Sequence, residues 1–400
     1  VAIALLGFGM GGAAVAVATA RLEAETGRLL PWLMTAIGIS AVLPPLLLRP
    51  LRPEVGEALG SDGLSAIYWL VSGLCLLPFF FASVYIALVF TQGRRPIGRL
   101  YFFDLLGSGL GCVGFLLVLD LLGAEVGLAV AGTVAVLASA LLVPRWNAGQ
   151  VAVLAVGLAI TGTAFVLLQG PSPLKPFVPR ELRMVHEYQG DKVQLDFQGW
   201  NPAGRIDIVS VRGETLELPD EARYKILTQD GGAPSILLGF DEPFEQLEFP
   251  ERSLLGMGYW TRDNPSVLII GPGGGPDLVA ALRYRPSRIT AVELNDTTIH
   301  VVGERFREFV GGLYQQPQVE VVHDDGRHFA KTTPHRYDVI QLTGVDTTVL
   351  GSAGALQNLS ENYLYTLEAF GDYWDRLTDD GILSLSYPDY GFWGYRSISM

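Results

Sequence analysis

The first part of the chain consists largely of uninterrupted apolar runs. Six runs, each about 20 residues long, cover residues 1–20, 29–48, 64–90, 101–122, 126–143 and 151–168. As helices, runs of this length match the roughly 30 Å hydrocarbon core of a bilayer. Helices of a soluble bundle would carry a polar face, which these runs lack. The pattern therefore predicts an N-terminal α-helical transmembrane bundle of about six helices in residues 1–170.

A proline-rich linker at residues 171–183 separates these runs from a more polar region with a different rhythm. Short alternating segments of strand type follow, at residues 192–197, 205–211, 224–228 and 235–238. Glycines punctuate them, as is typical of strands joined by tight turns. We therefore expect a small antiparallel β subdomain over residues 184–262, leaning over the mouth of the site that follows.

From residue 263 onward, apolar strands alternate with helical segments. The predicted strands are 267–270, 288–292, 319–322, 337–342 and 381–386, and the predicted helices are 277–284, 296–309 and 361–376. This alternation is typical of a Rossmann-like, methyltransferase-type α/β domain with a doubly wound parallel sheet. Ligands of such sheets bind at the carboxyl ends of the strands. Because such a sheet normally continues, we expect the domain of residues 263–400 to extend beyond Met400.

Charge is distributed unevenly between the two parts of the chain. Residues 1–179 hold 9 Lys and Arg against 8 Asp and Glu, whereas residues 180–400 hold 19 against 33. The acidic second part would repel phosphates, which argues against a nucleic-acid partner. It suits a small cationic substrate, although acidity equally serves solubility. The two cysteines lie in apolar runs, and neither a disulfide framework nor a metal-site spacing is present in the sequence.

A glycine-rich turn organises the second part of the chain. The run SVLIIGPGGGPD at residues 266–277 joins a predicted strand to a predicted helix. Glycines at such a turn let backbone N–H groups approach a ligand closely. Glu293 ends the next strand, 22 residues after Gly271, where a carboxylate grips the hydroxyls of a ribose. The combination predicts a nucleoside-binding site.

Polar residues also follow the third and fourth strands of the predicted sheet. Asp324, Asp325 and Gly326 come after the third strand, where an acid can accept from an adenine amino group. Asp346 comes after the fourth and is expected to face the reacting end of the cofactor. A carboxylate there would hold an ammonium group or take a proton from an attacking amine. Neither a nucleophile elbow nor a Walker motif appears, so hydrolase and kinase functions lack support.

Several runs resemble one known family. VLIIGPGGGPD, AVELN, VVHDDGRHF, YDVIQLTGVDT, ENYLYTLEAF and DDGILSLSY resemble the spermidine synthase family of polyamine aminopropyltransferases, and YKILTQDGGAPSILLGF resembles its β-hairpin region. RRPIGRLYFFDLLGSGLG looks like the multi-span membrane domain fused to such synthases in many bacterial chains. The resemblance implies transfer of an aminopropyl group from decarboxylated S-adenosylmethionine to a diamine such as putrescine.

The resemblance and the strand ends together predict three sets of site residues. The cofactor-binding set is Gly271, Gly273, Gly274, Gly275, Asp277, Glu293, Asp324, Asp325 and Gly326. The substrate-binding set is Asp230, Tyr259, Asp346 and Tyr363, and the catalytic set is Asp346 and Thr343. In the family, Glu293 would bind the ribose and Asp325 the adenine. The predicted co-substrate is decarboxylated S-adenosylmethionine or S-adenosylmethionine, with no metal.

Two positions depart from the family's pattern. Gly274 stands where the family's GGGDGG loop has an aspartate that holds the aminopropyl ammonium, and Asp277 is displaced from it by three residues. Thr343 stands at the first acid of a D-x-x-D-like pattern, and a threonine cannot act as a general base at neutral pH. A methyltransferase on the same sheet, or a non-catalytic transporter or sensor, therefore stays open.

The predicted setting is a multi-pass protein of the inner (plasma) membrane. The expected partners are the lipid bilayer, a small cationic amine and a second copy in a homodimer. Charges in the loops do not decide the orientation under the positive-inside rule. Because a nucleoside cofactor is found in the cytoplasm, the soluble part is placed there.

Overall fold

The computed structural model describes residues 2–48, 66–91, 97–143, 146–169, 193–211, 223–229, 233–345, 363–389 and 394–399. Two compact units make up the chain. The first comprises Val1–Lys175 with Trp200–Pro202, and the second comprises Pro176–Gly199 with Ala203–Met400. The apolar runs thus fall in one unit and the strand-rich region in the other.

The first unit is helical. Its described helices are α1 (Ala2–Leu48), α2 (Ala66–Thr91), α3 (Ile97–Leu141) and α4 (Ala148–Leu168). Backbone angles are non-helical at Ala18 in α1 and at Gly123 in α3, so each of these two helices covers two of the six predicted runs. Among the described residues, four helical segments are long and apolar enough to cross a membrane, and a fifth, Ala2–Ala18, is shorter.

Glycines bring the helices of the first unit into close contact. A Cβ atom at Gly132 of α3 would lie 2.6 Å from the carbonyl oxygen of Gly38 in α1. A Cβ at Gly11 would lie 2.7 Å from the carbonyl oxygen of Phe80 in α2. Any larger residue at these positions would push the backbones apart, as is common between membrane helices.

The second unit begins with the predicted small sheet. Its strands are β1 (Val193–Asn201), β2 (Gly204–Val211), β3 (Arg223–Gln229) and β4 (Ala233–Gly239), and they lie side by side in chain order. The pairs β2–β3 and β3–β4 are antiparallel. Buried Ile206, Ile208, Leu227 and Leu237 join the core under the larger sheet.

The larger sheet confirms the predicted α/β fold. Its strands are β5 (Ser266–Ile270), β6 (Arg288–Glu293), β7 (Val319–His323), β8 (Tyr337–Thr343), β9 (Leu377–Asp389) and β10 (Gly394–Ser399). Their order is β10-β9-β8-β5-β6-β7. The five strands β5 to β9 run parallel, and β10 is antiparallel to β9. Strand β10 was not among the predicted strands.

Short helices connect these strands. They are α5 (Pro276–Arg283), α6 (Asp296–His300, continued by a π-helical turn Val301–Arg305), α7 (Gly326–Thr332) and α8 (Leu367–Trp374). Short 3₁₀ helices lie at Phe244–Gln246, Leu254–Tyr259, Leu313–Gln315 and Tyr363–Tyr365. The sequence pattern missed α7 and made α6 and α8 too long. Capping side chains set the starts of α6, α7 and α8, at Asn295, Asp325 and Thr366.

The chain order reverses beside β5, which pairs with β6 on one side and β8 on the other. In a doubly wound sheet this switch point opens a crevice at the carboxyl ends of the strands. The residues that follow β5, β6, β7 and β8 therefore share one edge of the sheet.

Candidate functional site

The loop between β5 and α5 has a backbone that suits glycine. Gly271, Gly273 and Gly275 have φ angles of 68°, 53° and 98°, in the left-handed region where other residues are strained. A side chain at Gly275 would also collide with Leu313. The φ requirement is local, so the glycine-rich sequence predicted the turn, whereas the contact with Leu313 depends on the tertiary structure.

The N–H groups of this loop are engaged within the protein. Their acceptors are Val292 O for Gly271 (2.9 Å), Glu293 Oε2 for Gly273 (3.1 Å), Ser235 Oγ for Gly274 (2.8 Å) and Pro272 O for Gly275 (2.8 Å). The first helical residue, Pro276, carries no N–H at all. The sequence did not predict that these four amides would have acceptors within the protein. That the loop approaches a ligand stays a prediction.

Gly274 packs against the small sheet. A Cβ atom there would lie 2.6 Å from the carbonyl carbon of Ile236 and 2.9 Å from the backbone nitrogen of Leu237, both on β4. Contacts this short with backbone atoms are relieved only by moving the strand. The contact explains why no side chain, acidic or otherwise, fits at this position of the loop.

Glu293 lies at the end of β6 and is held by backbone donors. It is 8% exposed, and its two oxygens accept from Gly273 N (3.1 Å) and Asn295 N (3.0 Å). Burial raises the pKa of this carboxyl, while the Asn295, Gly273 and Leu294 amides act in the opposite direction. A carboxylate has about four lone-pair sites, so acceptor capacity remains for a ribose hydroxyl.

The residues after β7 form the start of α7. Asp325 caps this helix by accepting from His328 N (2.8 Å), and the hydroxyl of Tyr363 donates to its other oxygen. Gly326 lies so close to Ile270 of β5 that a side chain would overlap it. The structure therefore brings two predicted residues, Asp325 and Tyr363, into direct contact. Asp324 turns to His328, whose Nδ1 lies 3.0 Å from its carboxylate.

A buried polar network connects α5 with β8. Asp277 is 3% exposed, and its Oδ1 accepts from Thr343 Oγ1 and from Gln341 Nε2, each at 2.8 Å. The hydroxyl of Tyr259 donates to Gln341 Oε1. Burial raises the pKa of Asp277 from 3.8 to about 7, although the Thr343 and Gln341 hydrogen bonds lower it. The site thus contains a carboxyl that titrates near neutral pH.

The remaining predicted residues divide into two groups. Tyr259 is fully buried and stacks on Tyr284 with ring centroids 5.6 Å apart. Its hydroxyl donates to Gln341, so it contacts Asp277 only indirectly, through that side chain. Asp230 and Asp346 lie outside the described residues. Their roles, and those of the other site residues, stay predictions. Within the described parts of the chain, His, Cys, Asp and Glu form no group of three that could hold a metal ion.

Sequence reasoning missed three residues that shape the site. They are Gln341, which binds Asp277; Ser235, which accepts from Gly274 N; and Tyr314, which donates to Gly273 O at 2.8 Å. Gln341 carried a usable signal, because it is a polar residue inside an otherwise apolar strand. Ser235 and Tyr314 carried none.

Comparison with known proteins identifies related chains. Residues 249–388 match the family model described as spermine/spermidine synthase domain. The polyamine aminopropyltransferase of Thermococcus onnurineus is 27% identical over 193 residues, covering 43% of this chain and 66% of the relative. That of Aeropyrum pernix is 30% identical over 169 residues, covering 42% and 48%.

A solved structure is also similar. The spermidine synthase of Thermotoga maritima aligns with a TM-score of 0.35 and 21% sequence identity, over 49% of this chain and 58% of that one. The chain thus spans between about half and two thirds of the length of these three relatives.

Proposed function

We propose that this chain transfers an aminopropyl group from decarboxylated S-adenosylmethionine to an amine such as putrescine. The premise is that residues 249–388, which match the family model, form a spermine/spermidine synthase domain. The catalytic domain would be anchored to the inner membrane by the helical unit. The relatives named above are polyamine aminopropyltransferases, which supports the reaction class.

The observation that best supports this proposal is the arrangement of the glycine loop and Glu293. A phosphate-bearing nucleotide needs free N–H donors at such a loop, and here the four glycine amides are engaged and Pro276 has none. Glu293 stands ready for ribose hydroxyls at the same place. A nucleoside without phosphates suits these two features, and adenosyl sulfonium compounds are of that kind.

The residues after β7 have groups that could bind an adenine ring. Asp325 is held in place by the α7 amide of His328 and by the Tyr363 hydroxyl. Each carboxylate oxygen has a further lone pair for an amino group. The Tyr363 ring, 37% exposed, offers an apolar edge beside it.

For this reaction the protein mainly has to align the amine nitrogen with the carbon that it attacks. The amine nitrogen forms a bond to the carbon beside the sulfonium, and the C–S bond breaks with its electron pair passing to sulfur. Held in line in a dry pocket, such a displacement gains most of its acceleration from proximity and from polar groups near the changing charge. We infer that Asp346 holds the amine, and that the acidic second part of the chain attracts cationic substrates.

One observation favours a second candidate, a methyltransferase that uses S-adenosylmethionine. Gly274 packs so closely on β4 that the loop has no room for an acid there. Without a carboxylate at that point, the loop neither attracts the aminopropyl ammonium of the decarboxylated donor nor repels the carboxylate of an intact methionine moiety. The two candidates thus differ in which donor the loop accepts.

The membrane setting is part of the proposal. Four described helices have the length and composition to span a bilayer. We infer that the soluble unit faces the cytoplasm, where adenosyl donors and polyamines are found. Homodimer formation stays a prediction.

Binding of the two donors separates the candidates. We would titrate S-adenosylmethionine and its decarboxylated form, by calorimetry, into the full chain purified in detergent. Preference for the decarboxylated donor, followed by putrescine-dependent release of the thioether product, is the expected result. Preference for the carboxylated donor would favour the methyltransferase, and binding of neither would refute both and leave a transporter or sensor.

A further inference from the structure

Asp277 is a buried carboxyl with directed hydrogen bonds and no counter-charge. Among the ion pairs of the described part of the chain none involves this residue, which lies in the first turn of α5 beside the glycine loop. Both of its donors, Thr343 and Gln341, come from β8 and meet the same oxygen. A purely structural acid in such a place is costly unless it is paired. The arrangement therefore calls for a functional explanation.

Tyr259 fixes the orientation of the Gln341 side-chain amide. Tyr259 donates its hydroxyl hydrogen to Gln341 Oε1, so the amide nitrogen faces Asp277 and can only donate. Tyr259 is the titratable group that faces Asp277 from the turn Leu254–Tyr259, and burial raises its pKa well above the ordinary value, so it stays neutral. One side of Asp277 is thus closed to proton exchange.

Thr343 differs from Gln341 because its hydroxyl both donates and accepts. It ends β8, is only partly buried, and is followed by Gly344 and by Val345, which lies against Gly271 of the loop. When Asp277 is ionised, the Thr343 hydrogen points to it and the oxygen lone pairs remain for a donor in the crevice. When Asp277 is protonated, it can donate to Thr343, whose hydrogen then turns outward.

We propose that Asp277 is the proton acceptor of this site and reaches the crevice through the hydroxyl of Thr343. The inference deepens the proposed function and rests on it. Before attack, the bound substrate ammonium gives one proton to Thr343 Oγ1 while the Thr343 proton passes to Asp277 Oδ1. This transfer leaves a neutral amine, an unchanged threonine and a neutral Asp277. The amine lone pair then forms the C–N bond, and Asp277 later returns its proton along the same path. Thr343 is the residue that would touch the substrate, and Asp277 acts through it.

The first test measures the coupling without any turnover. Difference infrared spectroscopy of the full chain in detergent, wild type minus Asp277→Asn, follows the Asp277 carboxyl band from pH 5 to pH 9. We expect a midpoint near neutral pH. Thr343→Val removes a donor to the ionised form and should raise this midpoint, whereas Thr343→Ser should preserve it. Thr332→Val, at an exposed threonine of α7, is the matched control.

The second test measures the consequence for the reaction. With the donor that binds, Asp277→Asn and Thr343→Val should each lower kcat by about 100-fold or more with KM changed less than about threefold. Thr343→Ser should retain most of kcat, and the rising limb of the pH profile should follow the infrared midpoint. Wild-type turnover in Asp277→Asn would overturn the proposal.

The two tests also separate this inference from the proposed function. Failure of turnover with every donor would overturn the transferase, and the proton route along with it. An infrared midpoint that Thr343→Val leaves unchanged would overturn the Asp277–Thr343 coupling alone, whatever the enzyme transfers.

Discussion

Replacing Asp277 by asparagine should change the pH dependence of stability in a defined direction. The side chains are nearly isosteric, and an asparagine oxygen can still accept from Thr343 and Gln341. What the replacement removes is the charge. Because the pKa of Asp277 is raised from 3.8 to about 7, the native state binds this proton more tightly than the unfolded chain does.

The sign and size of the pH effect on stability follow from the difference between the native and unfolded pKa values of Asp277. Asp277 contributes stability that is fully present at pH values below about 4 and is lost as the pH rises to about 7, after which the effect is constant. A shift of about three pKa units corresponds to an upper bound of about 4 kcal/mol, since one unit is about 1.4 kcal/mol. The advantage of Asp277→Asn should therefore grow by about 1.4 kcal/mol per pH unit from pH 5 to pH 7 and level off above it.

Pulse proteolysis in urea would measure this on the full chain in detergent. The relevant quantity is the difference in the free energy of unfolding between variant and wild type, because other titrating groups cancel in it. At pH 8 we expect the variant to be more stable by about 2–4 kcal/mol, allowing for partial relaxation around the charge. Asp241→Asn is the matched control, since that side chain is 90% exposed. A difference that does not vary with pH, or a variant less stable than wild type at pH 8, would refute the reasoning.

Three further predictions concern the loop and the helices. Glu293→Gln leaves an amide nitrogen facing a backbone N–H, so calorimetry should show the nucleoside donor binding at least about tenfold more weakly, and unchanged affinity would contradict the ribose role. Gly274→Ala should destabilise the second unit by about 1–3 kcal/mol because its Cβ meets the backbone of β4, whereas Gly371→Ala, in open space within α8, should stabilise it by about 0.5–1 kcal/mol in the same unfolding assay. Gly132→Ala should lower the melting temperature of the helical unit, since its Cβ meets a backbone oxygen of α1, while Gly109→Ala, with nothing nearby, should not lower it.

The local pattern of residues was enough to predict much of the architecture. Strands β5 to β9 have short apolar runs, and the change from apolar runs to alternating strands marked the two parts of the chain. Glu293 and Asp325 could be placed at one edge of the sheet from sequence because the ends of parallel strands share that edge, and their binding roles stay predictions. The sequence pattern missed α7 because this helix is only seven residues long, which is too short for a periodic signal. It begins at a capping aspartate.

What the sequence by itself determined, therefore, is the order of elements and the residues at their ends, because both depend on neighbours along the chain. Only the tertiary structure decided which partners these residues have. Thr343 meets Asp277 across 66 positions and Ser235 meets Gly274 across 39, and no local pattern encodes such contacts. Packing over these distances engages the loop amides, excludes a side chain at Gly274 and buries Asp277. The chemistry of the site therefore comes from desolvation and long-range hydrogen bonding, which arise only when the sheet has assembled.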